Sequence, residues 1–157
     1  MAQDQILLTE LEQLLRGGTA HAHLNDALKG LPAEQRGEKP YGLPYSIWQL
    51  VEHIRIAQWD MLEFSKDAGH QSPKWPDEYW PEEAAPKDEE TWNQSIQQIE
   101  KDLNEMIALV KADDLYQPFP HGTGQNLLRE ALQVADHNAY HTAEIILLRR
   151  LLGSWKS

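Results

Sequence analysis

Residues 46–64 read SIWQLVEHIRIAQWDMLEF, and their spacing decides the fold class. Ile47, Leu50, Val51, Ile54, Ala57, Met61 and Phe64 recur in steps of three and four, the period of a helix with one buried face. The start is signalled as well. Ser46 and Gln49 have the S-x-x-Q spacing of a capping box, and Tyr45 and Leu50 flank it where a hydrophobic staple would sit. A helix over Ile47 to Ala68 is predicted.

Three further segments show the same period. The first covers Gln3 to Leu28, with Ile6, Leu7, Leu11, Leu14, Leu15, Leu24 and Leu28 on its apolar face and a kink or close packing expected at Gly17-Gly18. Glu89 to Lys111 follows the acidic start Asp88-Glu89-Glu90, which suits a helix dipole, and carries Trp92, Ile96, Ile99, Leu103, Met106 and Val110. Asn126 to Leu152 ends with Arg149, Arg150 and then Gly153, ordinary stop signals. No stretch alternates as a strand does. The expectation is one all-α domain over residues 1–157, a four-helix bundle. The connection between the second and third helices carries Pro73, Pro76, Pro81 and Pro86 and is far longer than a tight turn. It allows a crossover between distant helix ends, or a loop lying over a site. Trp75, Tyr79 and Trp80 on it are candidates to cap a pocket.

Composition narrows the function. The formal net charge is −11, so phosphate backbones and anionic lipid would repel the surface, and neither nucleic acid nor membrane is an expected partner. No aliphatic run is long enough to span a bilayer, and no signal peptide is apparent. The chain has no cysteine. This removes disulfides, thiolate metal sites and a cysteine nucleophile, and fits a cytoplasmic protein.

Among seven histidines, one pair has ligand spacing on a predicted helix, His137-Asn138-Ala139-Tyr140-His141. Residues four apart lie ~40° apart around a helix and ~6 Å apart along it, so two imidazoles can converge on one ion. Asn138 stands where a zinc protease needs glutamate, which disfavours peptidase chemistry. Gln133, His137, His141 and Glu144 form a polar stripe in a Leu/Ile/Ala-rich helix, the pattern of inward ligands in bundles. His53, mid-helix among Leu50, Val51, Ile54 and Ala57, is the natural third ligand. Three histidines leave coordination positions open for water or substrate, a catalytic rather than structural type. Zinc or nickel suits imidazole best, and iron or manganese is compatible.

Asp60, seven residues after His53 on nearly the same face, is a candidate acceptor for a ligand imidazole N–H. Glu144, three residues after His141, is a candidate general base or weak ligand. Glu52 is expected at the surface and Tyr140 in the core. His21, His23, His70 and His121 have no partner at ligand spacing.

These residues carry a family likeness. The stretches Gly42 to His53 continuing to Asp60, Ser72 to Pro81, and Arg129 to His141 ending in Leu148 to Trp155 resemble the DinB/YfiT-like superfamily. The likeness covers essentially the whole chain. It implies a four-helix bundle with a crossover, a three-histidine site made by His53, His137 and His141, and a homodimer. Members commonly carry Gly-Gln where this chain has Ala143-Glu144, which leaves a carboxylate one turn from His141. Relatives include transferases and isomerases that use a low-molecular-weight thiol, so a thiol-dependent S-transferase acting on a small molecule is the expected function. The competing expectations are a non-catalytic metal- or small-ligand-binding stress protein, and a purely structural bundle.

Overall fold

The computed structural model describes residues 2–155, with side chains described from Asp4 onward. Its helices are α1 (Ala2–Leu15), the short α2 (Leu24–Leu28), α3 (Ile47–Lys66), α4 (Glu89–Ala112) and α5 (Leu127–Leu151). Among the described residues there is no strand, only an isolated bridge between Pro118 and Asn126. No described helix is long and apolar enough to cross a membrane.

Helix starts follow the local chemistry. The Ser46 side chain accepts from Gln49 N, and Gln49 Oε1 accepts from Ser46 N, both at 3.2 Å, so the capping box is formed. Asp88 caps α4 by accepting from Thr91 N at 2.8 Å, and Asn126 caps α5 by accepting from Arg129 N at 2.9 Å.

The first segment departs from expectation. It is two helices, α1 and α2, rather than one kinked helix over Gln3 to Leu28. Gly17 (φ 111°) and Gly18 (φ 69°) both have positive φ, which a continuing right-handed helix does not allow. The turn is closed by His23, whose Nε2 lies 2.8 Å from Gly18 O.

Cross-helix contacts set the directions. Glu52 meets Ser95, Gln58 meets the Ile99 carbonyl and Lys66 meets Glu105, so α3 and α4 run parallel. Parallel neighbours need a connection that returns the length of a helix, and residues 67–88 make it. His53 meets His141 and Gln58 meets Asn138, so α5 runs antiparallel to α3.

Two apolar clusters form the core. One gathers Leu15, Leu62, Met106, Val110, Leu127 and Val134; the other gathers Ile47, Leu50, Ile54, Ile99, Ile145 and Leu148. On α5 the first cluster ends at Ala135 and the second begins at Ile145, so His137, Asn138 and His141 fall in a polar layer between them.

Glu52 is buried, against expectation. Its carboxylate accepts from Arg55 Nε at 2.8 Å and from Ser95 Oγ at 2.6 Å. The face of α3 turned from the histidines is covered by α4, so it is no surface.

Candidate metal centre

His53 is placed by α3, and His137 and His141 by successive turns of α5. Ligand nitrogens of the three lie within 4.8 Å of one another. His53 Nε2 and His137 Nε2 are 3.0 Å apart. Two nitrogens held at ~2.0–2.1 Å on a tetrahedral ion are about 3.3–3.4 Å apart, so this one pair is within a few tenths of an ångström of a coordinating separation.

Hydrogen bonds decide which nitrogen each ring presents. His53 Nδ1 is 2.9 Å from the Tyr79 carbonyl, which accepts only, so His53 carries its proton on Nδ1 and turns a lone pair on Nε2 inward. His141 Nδ1 is 2.6 Å from Glu144 Oε2, which leaves its Nε2 for the same purpose.

Burial keeps the rings neutral. It is the largest influence pushing His137 down to about 4, with His141 and His53 adding repulsion and the Asn138 amide pulling the other way. Burial and then His53 push His141 down to about 4. His53 is also lowered by burial, opposed by its bond to Tyr79 O. Each ring is thus uncharged at neutral pH and has one lone pair to give, as a divalent ion requires.

The long connection covers the site. Trp80 stacks on His53 with ring centres 3.8 Å apart and planes within 4°, and on Tyr45 at 3.8 Å and 9°. His53 is left 1% exposed. Trp75 lies 6.3 Å from His53 and is 71% exposed. Tyr140, expected in the core because it stands off the face of the two ligands, is not there. It is 64% exposed and sets its ring 4.9 Å from His141.

Asp60 does not meet a histidine of the trio. Its Oδ1 lies 2.7 Å from His70 Nε2, and its Oδ2 accepts from the Tyr79 hydroxyl at 2.6 Å. It ties the loop to α3 and acts on His53 only through Tyr79, whose carbonyl holds the imidazole. The expectation rested on the α3 face alone; the loop brings two nearer donors. His70 thereby gains a partner that spacing did not show. The carboxylate that does touch the trio is Glu144, behind His141, and burial raises its pKa, with His53 opposing.

Tyr79 O left no trace in the sequence, since any residue has a carbonyl. Gln58 and Asn138 were also missed. Their joint signal is a pair of amides on helices otherwise buried there.

A helical protein with three converging imidazoles belongs to the class of proteins able to hold one divalent ion. The family model for the DinB superfamily matches residues 18–145, and the chain belongs to that superfamily. No curated protein and no solved structure matches it.

Proposed function

We propose that this protein is a divalent-metal-dependent enzyme of the thiol-dependent S-transferase class, working on a small electrophile as a cytoplasmic homodimer. The observation that carries this is the convergence of His53, His137 and His141 within 4.8 Å, two of them with Nδ1 engaged behind the site. Zinc or nickel is the best match to three neutral imidazoles, with iron and manganese next. A bound ion would supply Lewis acidity, stabilising a low-molecular-weight thiol as its thiolate.

The chain's own groups support transfer over hydrolysis. Hydrolysis calls for a free base near the ion, and Glu144 is engaged by His141 Nδ1. The chain has no cysteine, so a sulfur nucleophile would be brought in by the co-substrate. Tyr79 and Trp80 hold His53 from two directions and keep water off that ring. The exposed Leu132, Leu147 and Leu151 on α5 offer apolar surface for pairing of two copies. A second reading, a carrier of metal or a small ligand without chemistry, is favoured by how deeply His53 lies under Trp80.

Elemental analysis of tag-free protein beside a His137→Ala/His141→Ala double variant tests the site. Near-stoichiometric metal in the parent and none in the variant is expected; none in either, even after incubation with divalent ions, removes the reading. Metal-dependent turnover of electrophiles with a panel of thiols then separates enzyme from carrier.

A further inference from the structure

A neutral imidazole that gives Nε2 to an ion carries its one proton on Nδ1, and a buried N–H needs an acceptor. His53 has the Tyr79 carbonyl and His141 has Glu144. His137 Nδ1 is buried and meets no partner. One residue on, Asn138 Oδ1 is also buried and also meets none. Helix neighbours splay by ~100°. Here both side chains nevertheless lean on α3, His137 against His53 and Asn138 against Gln58.

The Asn138 amide cannot choose its orientation. Gln58 Nε2 donates to the Ile99 carbonyl of α4 at 2.7 Å, so Gln58 presents its oxygen to α5. Asn138 Nδ2 donates to that oxygen at 2.7 Å, which commits Asn138 Oδ1 to being a spare acceptor. The two atoms make no hydrogen bond in this structure, which is a matter of their separation and angle; the tautomer of His137 decides which bond they can make. His53 Nε2 is an acceptor because its proton faces Tyr79, so across the 3.0 Å contact His137 Nε2 is the donor. Its Nδ1 is then a bare acceptor, and Asn138 Oδ1 is another. With Nε2 given to an ion, the His137 proton sits on Nδ1 and the two atoms become donor and acceptor.

We propose that Asn138, locked by Gln58 and the Ile99 carbonyl, is the positioning residue of His137 and accepts its Nδ1 proton when Nε2 is a ligand. This rests on the metal-site reading. Each histidine then has its own outer acceptor, a carbonyl, a carboxylate and an amide, drawn from the loop, α5 and an α5–α3–α4 relay. Loss of such a partner typically weakens metal binding 10–100-fold.

The test uses zinc as probe with purified protein. Zinc affinity is measured by chelator competition for the parent, Asn138→Ala and Asn138→Asp. Long-range ¹H–¹⁵N spectra of the zinc-loaded parent report the His137 tautomer and the exchange of its Nδ1 proton. The expected result is about 10–100-fold weaker zinc binding in Asn138→Ala and a smaller loss in Asn138→Asp, which keeps an acceptor for Nδ1 but gives up the donor to Gln58. The parent should show a slowly exchanging His137 Nδ1 proton, a readout that needs no variant to fold. Unchanged zinc affinity in Asn138→Ala, or a rapidly exchanging Nδ1 proton in the zinc-loaded parent, overturns the relay while leaving the metal site standing. A parent that takes up no zinc or other divalent ion overturns both.

Discussion

Replacing Asp60 by leucine isolates the bond between the long connection and α3. The carboxylate receives His70 Nε2 at 2.7 Å and the Tyr79 hydroxyl at 2.6 Å, and its side chain is 13% exposed. Leucine keeps the volume and removes both acceptors. Hydrogen bonds to a charged group contribute about 1.5–3 kcal/mol each, so two amount to about 3–6 kcal/mol. The loop can swing outward and let both donors meet water, which draws the expected loss to the lower end, about 3 kcal/mol. For a chain of this size that corresponds to a fall of about 6–12 °C in Tm. Tyr79 O and Trp80 ride on the same loop, so amide exchange over residues 72–80 should rise and zinc affinity should fall. Thermal and denaturant unfolding, hydrogen exchange and chelator competition measure the three effects. A stability change within about 0.5 kcal/mol, the range of an ordinary surface substitution, would refute the clamp. Lost stability with unaltered zinc affinity would refute its link to His53.

Three other outcomes are expected. Glu144→Ala should weaken zinc binding by about tenfold, the low end for an outer partner, because this carboxylate is 40% exposed and water can replace it; chelator competition checks it. Burial raises the Glu130 carboxyl above its ordinary value. Its charged form is penalised only in the folded state, so the parent loses stability as pH rises from the unfolded value through the folded one. Glu130→Gln should therefore be more stable than the parent at pH 7, with the difference gone at pH 4, as denaturant unfolding at both pH values will show. Gly37→Ala would place a Cβ 2.6 Å from Ala85 Cβ and 3.3 Å from the Ala84 carbonyl, and should cost about 1–3 kcal/mol in denaturant unfolding.

What could be read in advance was whatever a few neighbouring residues decide. The helices α3, α4 and α5 follow from apolar period and caps, because both depend on residues three and four apart. Their predicted ends at Ala68, Lys111 and Leu152 differ by a residue or two from the structure. The His137/His141 pair was legible for the same reason, since the two stand one turn apart on a predicted helix. Gly17-Gly18 was legible as a disturbance but not as a break, since the His23 ring that stands against Gly17 belongs to a residue six further on.

The chain alone thus determined its helical class, the acidic surface, the lack of a sulfur nucleophile and two of three candidate ligands as a pair. The tertiary structure decided the rest, because those contacts join residues remote in sequence. His53 reaches His137 only when α3 and α5 run antiparallel. Trp80 reaches His53, and Asp60 binds His70 and Tyr79 instead of a ligand, only because the connection folds back along α3. Asn138 joins Gln58 and Ile99 across three helices. A hydrogen bond is satisfied by whichever group stands within about 3 Å, and packing, not spacing along the chain, chooses that group.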